Sequence, residues 1–371
     1  MRVLFVTMDG GGNLPPAVGI ARELVRRGSE VRVLGNSVQR AAIEGAGLRF
    51  EPVCQGRDYD ASAPRSTISG VQELTALFAD RGIGRDAIAL VAAEPVDAVV
   101  VDCLLWGAAL EISAAGVPVV SLVHSQAEYF RGNARGPVGM ISRLRGANPV
   151  RAESAAALTL IATRLEFEPD AARSVAGAHH TGFVWQGTPV QSEPDPIRPR
   201  VLVSFSTTTF PGQARALQSV LDALADAPIE LVVTTGAVDA SSLALPRGAR
   251  VEKRIDHVEV LPTTALVIGH GGHATTARAL GYGIPVLVMP MHPMMDQPEI
   301  GRAVQRLGVG RTIPKSSSPA AIRTAVNQLL ADETALARAR ELGADVRLRD
   351  GAAVAADLLE DALASSRPTT V

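Results

Sequence analysis

The chain has 371 residues, which exceeds what one hydrophobic core usually serves, so we expect two domains. Its composition of 47% hydrophobic and 20% charged residues excludes the polar, charge-rich chains that remain disordered. The net charge of -2, without a run of like charges, argues against a nucleic-acid partner.

Cysteine and hydropathy patterns indicate the compartment. The two cysteines, Cys54 and Cys103, lie far apart and cannot build a disulfide framework, which fits a reducing environment. No stretch approaches the roughly 18 uninterrupted apolar residues of a membrane-spanning helix, and glycines follow the apolar run at 3–7 where an export signal would be cleaved. We therefore expect a soluble, cytoplasmic protein.

Short β-branched runs alternate with amphipathic helical stretches along most of the chain, which is typical of βαβ units and parallel sheets. The first helix is predicted from Leu14 to Gly28, with Val18 and Val25 on its apolar face. The predicted strands of this first series are 3–7, 30–34, 98–103 and 117–124.

A proline-rich stretch at 188–200 predicts a linker, because its four prolines cannot supply the donors that a helix or sheet needs. Beyond it, strands are predicted at 200–205, 229–234, 265–269 and 285–289. The sequence therefore predicts an α/β protein with two Rossmann-like domains facing a central cleft, where ligands bind at the carboxyl ends of the strands.

The most informative stretch is 265–280, a strand that breaks at Gly269 and restarts as a helix near position 274. Unpaired amides and the helix dipole favour an anion there, and Gly271 and Gly272 allow it to approach closely. His270 and Thr275 add side-chain donors. The alternative is an ordinary strand-to-helix turn that needs glycine for its backbone angles.

A second loop, 289–298, ends with Asp296 and Gln297, whose side chains suit the hydroxyl groups of a sugar. The alternative for this loop is a solvated surface. His270, His273 and His292 raise the possibility of zinc, but neither cysteine nor carboxylate completes a known spacing, so no metal is expected.

The glycine-rich turn at 9–13 does not match the dinucleotide pattern G-x-G-x-x-G. The second strand also ends without the acidic residue that would hold a ribose, which disfavours an NAD enzyme. Gly11 and Gly12 instead suggest a loop whose backbone passes close to a ligand.

Four segments together resemble a known family: GNLPP at 12–16, IDHVEVLP at 255–262, HGGHAT at 270–275 and DQ at 296–297. They are similar to the signature of family 1 glycosyltransferases of GT-B fold, particularly bacterial enzymes that glycosylate natural products. The resemblance implies transfer of a sugar, such as a deoxysugar, from a TDP- or UDP-linked donor to a small-molecule acceptor. It also implies that no metal or other cofactor takes part.

The resemblance implies four regions along the chain. These are an acceptor-binding domain at 1–187, the linker at 188–200, a nucleotide-sugar domain at 201–350, and a terminal helix with a tail at 351–371 that packs back across the cleft. In the second domain, His270, Gly271, Gly272 and Thr275 would hold the pyrophosphate, Ser206 and Thr207 would close over it, and Asp296 with Gln297 would hold the sugar.

Two donor-site positions depart from the family pattern. Arg254 stands where the family commonly has a tryptophan that stacks on the base, and a guanidinium plane can also stack. Arg278 stands where many members have a glutamate that bonds the ribose. The base and the ribose contact are therefore left open.

The family's general base, a histidine after the first glycine-rich loop, is replaced by Asn13. An amide can orient an acceptor but cannot take its proton. Asp102 and His124 lie at predicted strand ends, so Asp102 either acts directly or pairs with His124, since imidazole titrates near neutral pH. The alternatives are a structural histidine and a supporting or capping carboxylate.

Two segments, 54–70 and 125–150, interrupt the alternation and are predicted to be long loops that line the acceptor side. Tyr59, Tyr129, Phe130, Met140 and Ile141 would cover an apolar acceptor; the alternative is a mobile surface. Two other functions remain open, a nucleotide-sugar epimerase of the same fold and a catalytically silent sugar-nucleotide-binding helper protein.

Overall fold

The computed structural model describes residues 1–63, 67–168, 177–185, 187 and 189–365. The chain forms two compact units, Met1–Gln186 together with Asp350–Val371, and Gly187–Arg349. Each unit is built on one parallel sheet, and apolar side chains of its strands are buried in hydrophobic cores. The predicted α/β class with two Rossmann-like domains is confirmed.

The first unit contains a seven-stranded sheet and its helices. Its strands are β1 (Arg2–Val6), β2 (Glu30–Gly35), β3 (Arg49–Pro52), β4 (Ala98–Asp102), β5 (Val119–Val123), β6 (Leu158–Ile161) and β7 (Ala178–His180). Its helices are α1 (Leu14–Arg26), α2 (Arg40–Gly45), α3 (Thr67–Phe78), α4 (Gly82–Ala93), α5 (Trp106–Ala114), α6 (Ala127–Arg135), α7 (Pro137–Leu144), α8 (Pro149–Ala155) and, from the end of the chain, α15 (Gly351–Ser365).

The second unit contains a six-stranded sheet. Its strands are β8 (Arg200–Ser204), β9 (Glu230–Thr234), β10 (Arg250–Glu252), β11 (Thr264–Gly269), β12 (Val286–Val288) and β13 (Gly310–Thr312). Its helices are α9 (Gln213–Leu224), α10 (His257–Val260), α11 (His273–Gly281), α12 (Gln297–Leu307), α13 (Pro319–Leu330) and α14 (Glu333–Leu348).

Both sheets have the same topology. The strand orders are β3-β2-β1-β4-β5-β6-β7 and β10-β9-β8-β11-β12-β13. The order reverses between β1 and β4 in the first sheet and between β8 and β11 in the second. Loops diverge at such a reversal, which leaves a crevice at the carboxyl ends of the two central strands. Each unit therefore has one position where its fold favours a ligand.

Helix α1 begins at Leu14, as predicted, because two prolines fit its first turn, where their missing N–H groups cost little. Val18 is buried against the sheet, but Val25 is 43% exposed, so its predicted place on the apolar face is wrong. Gly28 follows the helix with φ of 87°, the left-handed conformation that ends helices and favours glycine.

The segment predicted as a long loop at 125–150 contains two helices, α6 and α7, and the start of α8. The prediction of an unstructured loop is therefore wrong. These short helices are easily missed, because Gly132 and Gly139 lie inside them, Gly136 lies between them, and glycine has a low helix propensity. Gly139 permits close packing, since a Cβ there would lie 1.8 Å from the carbonyl oxygen of Ala134.

The segment predicted as a linker belongs to the second unit by its contacts. Ser192 is 3% exposed, and its hydroxyl donates to the carbonyl of Thr264 at 2.7 Å. The backbone N–H of Glu193 donates to Pro262 at 2.9 Å, and Arg347 donates to the Gln191 side chain. Described residues of 188–200 thus pack on one unit, while Thr188 lies outside the described residues.

The terminal helix α15 is part of the first unit and packs against α1. Leu359 is fully buried in the core beside α1, and Arg27 donates to Asp357 at 2.6 Å and to Glu360 at 3.0 Å. The predicted tail, 366–371, lies outside the described residues. Within the described residues, no helix combines the length and the apolarity needed to cross a membrane.

Candidate active site

The first candidate site lies where the strand order of the first sheet reverses. Asn13 stands just before α1 in the connection that follows β1, and Asp102 is the last residue of β4. Strands β1 and β4 are neighbours and parallel, so their carboxyl ends lie at the same edge of the sheet. His124 follows β5, the next strand along, and completes the group.

Asn13 is 1% exposed, and its side-chain amide forms hydrogen bonds with other groups of the protein. Its Nδ2 donates to the carbonyl of Met8 at 2.8 Å and to Asp102 Oδ2 at 2.9 Å, while its Oδ1 accepts from the Gly10 N–H at 3.0 Å. An amide group has two N–H donors, and both are used. Both N–H donors of Asn13 are therefore engaged within the protein, and neither is left for the acceptor contact that the sequence predicts.

Asp102 is buried and faces His124. The distance from Asp102 Oδ2 to His124 Nδ1 is 3.3 Å, and Oδ1 accepts from the Leu104 N–H at 3.0 Å. Burial alone would raise the pKa of Asp102, but His124, the Leu104 N–H and the Asn13 amide outweigh burial and lower it. A carboxylate held ionised in this way suits the orientation of an imidazole better than the acceptance of a proton.

His124 is only partly buried, with 14% of its side chain exposed, and its ring packs edge-on against Phe130 at 4.8 Å between centroids. Phe130 in turn contacts Tyr129 at 5.1 Å. Asp102 Oδ2 lies within ion-pair distance of Nδ1, which is buried and makes no hydrogen bond to a described residue. The arrangement places a buried carboxylate beside a partly exposed imidazole.

Cys103 lies beside this pair, although no sequence motif includes it. Burial, followed by the nearby Asp102 charge, raises the pKa of its thiol. Among the described residues, Asp102, Cys103 and His124 place their possible metal-ligand atoms within 4.8 Å of one another. Both Asp102 oxygens already accept hydrogen bonds, which favours a proton-transfer pair of Asp102 and His124 over a metal site.

The other predicted acceptor residues spread over the same unit. Gly11 has φ of 74° and, like Gly12, is exposed in the turn before Asn13. Tyr59 is partly buried against the hydrophobic core of this unit, and Met140 on α7 is 57% exposed.

The second candidate site lies where the second sheet reverses, after β11. Gly271 adopts φ of 83°, and a Cβ at that position would lie 2.8 Å from the Gln297 carbonyl oxygen and from Val288 Cγ1. A Cβ at Gly272 would lie 2.6 Å from His270 Nε2. Gly271 is therefore required by its backbone conformation and packing, whereas a side chain at Gly272 would have to displace the His270 ring.

The turn also opens α11 in a way that suits an anion. Gly272 is its N-cap residue and supplies no side-chain cap, so first-turn amides lack a partner within the helix. Thr275 is only partly buried in this first turn. Helix dipole and amides together favour negative charge at this position.

His270 enters this site as a neutral group. Burial lowers its pKa to about 4, against a smaller opposite effect of a hydrogen bond with the Ser204 backbone. Its Nδ1 is buried without a hydrogen-bond partner within the described residues. At neutral pH, His270 can therefore offer a phosphate an N–H but no positive charge.

The connection after β8 approaches the same edge. Ser206 is 8% exposed, and its hydroxyl accepts from the Thr208 N–H at 2.9 Å, whereas Thr207 is exposed. The buried Gln213 side chain donates to the Ser206 carbonyl at 2.8 Å and so holds this turn. Ser206 and Thr207 thus follow β8, the strand that pairs with β11.

Asp296 and Gln297 differ in accessibility. Gln297 is 3% exposed, and its Oε1 accepts from the N–H groups of Met291 at 2.7 Å and His292 at 3.1 Å. Its oxygen therefore shapes the loop after β12, and only its amide N–H groups are left for a sugar. Asp296 is partly buried at the N-cap of α12.

The two arginines that depart from the family pattern also have distinct surroundings. Arg254 is exposed after β10, the edge strand. Arg278 lies one turn beyond Thr275 on α11, and burial lowers the pKa of its guanidinium despite the charge of Asp256. His257 is also buried, and its burial, followed by the positive charge of Arg278, lowers its pKa to about 4.

Two residues at the second site escaped the sequence patterns. Gln213 and Lys315 hold backbone carbonyls of the loops around it, at distances of 2.7 to 2.8 Å. Lys315 could have been noticed in the sequence because it is one of only two lysines in the chain. By contrast, His270, His273 and His292 form no ligand cluster within the described residues.

The chain is similar to known proteins over nearly its whole length. Residues 218–370 match the family described as erythromycin biosynthesis protein CIII-like, C-terminal domain. The chain is 27% identical to a 4'-demethylrebeccamycin synthase of Lentzea aerocolonigenes, with 97% of this chain and 99% of that protein covered.

Solved structures show the same architecture. The calicheamicin glycosyltransferase CalG4 matches with a TM-score of 0.78 and 23% identity, covering 99% of both chains. The glycosyltransferase VinC, solved in complex with DTDP, matches with a TM-score of 0.74 and 20% identity, covering 98% of this chain and 99% of that one. The resemblance read from the motifs is thus confirmed: the chain has the GT-B fold and is similar to known glycosyltransferases.

Proposed function

We propose that this enzyme transfers a sugar, such as a deoxysugar, from a TDP- or UDP-linked donor to a small-molecule natural product. The relatives support this assignment, because a synthase of a rebeccamycin and a calicheamicin glycosyltransferase are among them and VinC was solved with DTDP. We propose that the donor binds to the second unit and the acceptor to the first. We further propose that the enzyme acts in the cytoplasm and has no nucleic-acid partner.

The observation that carries the proposed chemistry is the contact between Asp102 and His124. We propose that His124 Nε2 takes the proton of the acceptor hydroxyl as its oxygen attacks the anomeric carbon. Asp102, held by Asn13 and the Leu104 N–H, keeps the imidazole oriented and stabilises its protonated form. A base of this kind contributes roughly 100- to 10,000-fold to a rate.

The bond from the anomeric carbon to the diphosphate breaks in the same step, and negative charge develops on the leaving nucleoside diphosphate. We propose that first-turn amides of α11 and the neutral His270 N–H bind that charge. Arg278 adds a cation one turn further along the helix. These groups support the leaving diphosphate by themselves, and we propose that the reaction uses no metal and no other cofactor.

The experiment that tests this assignment is a ligand-binding series followed by a turnover assay. Thermal unfolding is measured with UDP, TDP, GDP and NAD at matched concentrations, because a ligand at about 100 times its Kd adds about 2.7 kcal/mol. We expect stabilisation by TDP or UDP and none by NAD. The nucleotide-sugar is then incubated with and without candidate acceptors.

Three outcomes contradict the proposal in different ways. Interconversion of donor sugars without an acceptor indicates an epimerase. Nucleotide binding without turnover across a broad panel of hydroxylated aglycones indicates a helper protein. Stabilisation by none of the pyrimidine nucleotides removes the donor site itself.

A further inference from the structure

We propose that Lys315 is a positioning residue for the phosphate end of the donor site, clamping the two loops that flank the turn at 270–275. The inference rests on the proposed function, because it assumes that this turn receives the diphosphate. It concerns a residue that no sequence motif includes.

The clamp is visible in two hydrogen bonds from one ammonium group. Lys315 Nζ donates to the carbonyl of Pro211 at 2.8 Å and to the carbonyl of Met291 at 2.7 Å. Pro211 lies in the loop between β8 and α9, and Met291 lies in the loop between β12 and α12. Strands β8 and β12 are the two neighbours of β11, so the loops stand on either side of the turn that follows β11.

Other contacts hold the same two loops, which shows that the clamp is part of a built structure. The rings of Phe210 and His292, one from each loop, lie 6.0 Å apart between centroids. Gln297 Oε1 binds the N–H groups of Met291 and His292, and Gln213 Oε1 accepts from the Phe210 N–H at 3.2 Å. Each loop is thus shaped by a buried glutamine, and Lys315 joins the two.

An ammonium group has three N–H donors, and the two carbonyls use two of them. The third has no protein partner within the described part of the chain. The charge acts locally, since burial and then Lys315 lower the pKa of His292. Because His270 is neutral, Lys315 supplies a full positive charge at the loops around the turn.

The choice of lysine over arginine follows from this geometry. The chain uses arginine almost everywhere, since Lys253 and Lys315 are its two lysines among 36 basic residues. A compact ammonium can donate to separate carbonyls in different directions, whereas a planar guanidinium presents its donors in a fixed fork. An arginine at 315 keeps the charge but does not reproduce both bonds.

The test compares Lys315→Met with Lys253→Met, which removes the other lysine from an exposed position in the same unit. The probes are TDP and UDP, whichever binds the unaltered enzyme more tightly, and the matching nucleoside without phosphate. Affinities are measured by isothermal titration calorimetry, and folding is checked by thermal unfolding. The salt dependence of diphosphate binding is measured for each protein.

We expect Lys315→Met to weaken diphosphate binding by about 10- to 100-fold, the usual effect of losing bonds to a charged group. Nucleoside affinity should stay within about two-fold, and the salt dependence should fall. Lys315→Arg should recover part of the loss, and Lys253→Met should match the unaltered enzyme.

Equal diphosphate affinity for Lys315→Met and the unaltered enzyme overturns the inference while leaving the proposed function intact. A parallel loss of diphosphate and nucleoside binding also overturns it, because it indicates general collapse of the loops. If the unaltered enzyme binds no nucleotide, the proposed donor site and the clamp fall together.

Discussion

The amide of Asn13 donates to the carboxylate of Asp102 at 2.9 Å, across 89 positions of sequence. The bond joins the connection between β1 and α1 to the end of β4, and both residues are almost fully buried. In the family pattern a histidine base occupies the position of Asn13. Here the same carboxylate also lies 3.3 Å from His124, the residue that we propose as the base in place of Asn13.

Replacement of His124 by alanine should lower turnover by about 100- to 10,000-fold, because the acceptor hydroxyl loses its proton acceptor. Asp102→Asn should act in the same direction, since a neutral amide no longer stabilises the protonated imidazole. Nucleotide affinity, measured by calorimetry, should be nearly unchanged, because both residues lie in the first unit.

His179→Ala is the matched control for this pair, as it removes an exposed histidine from β7 of the same unit. It should retain normal turnover. Normal turnover in both His124→Ala and Asp102→Asn would contradict the assignment of the base.

Gly271→Ala should abolish nucleotide binding and lower the free energy of unfolding by about 1–3 kcal/mol. The residue has φ of 83°, and the added Cβ would lie 2.8 Å from a carbonyl oxygen. Gly248→Ala is the control, because Gly248 has φ of 81° with nothing within 4 Å of the added Cβ. It should lose about 1 kcal/mol of stability and keep its nucleotide affinity; similar binding by both variants would show that the turn is not the phosphate site.

Stability should fall as the pH drops from 6.5 towards 4, in part because of His257. Burial and Arg278 lower its pKa to about 4, so it stays neutral in the folded protein while the unfolded chain takes up a proton below pH 6.5. The stabilising effect is complete above pH 6.5 and amounts to about 3 kcal/mol at most.

Denaturant unfolding of His257→Gln between pH 4 and pH 7 checks this effect. The variant should show a shallower loss of stability over that range than the unaltered protein. Glutamine can still accept the contact with the Ser204 hydroxyl, which lies 3.3 Å from His257 Nε2. An identical pH dependence in the two proteins would show that His257 does not carry this proton linkage.

Leu359→Ala should lower the free energy of unfolding of the first unit by about 2–5 kcal/mol, because Leu359 is 0% exposed between α15 and the core of that unit. The same substitution at Leu348, which is 83% exposed, should change stability by less than about 0.5 kcal/mol. Calorimetric or denaturant unfolding measures both. A loss at Leu359 no larger than at Leu348 would show that α15 does not complete this core.

Local signals explain which elements could be predicted. The two prolines after Asn13 mark the start of α1, and apolar β-branched runs mark β4, β5 and β11 to within two residues. The helices α6 and α7 were not recognised, since they are short and each contains a glycine, which disfavours a helix interior. Tertiary packing stabilises such helices, and that packing has no local signature.

The candidate site divides in the same way. Motif spacing picked out the turn at 270–275, because its glycines, helix start and histidine follow one another along the chain. The use of Gln297 to hold a loop, and the role of Lys315 beside it, depend on backbone groups from distant segments. Hydrogen bonds of that kind leave no trace in sequence spacing.

The sequence by itself determined the α/β class, the two series of strands and helices, and the family whose motifs the chain carries. These follow from periodicity and from residues close together in the chain. Only the tertiary structure decided that the Asn13 amide donates to Asp102, that His124 faces the same carboxylate, and that one lysine bridges two loops. Strand order brings those residues together, and strand order is set by the packing of the whole sheet rather than by any local pattern.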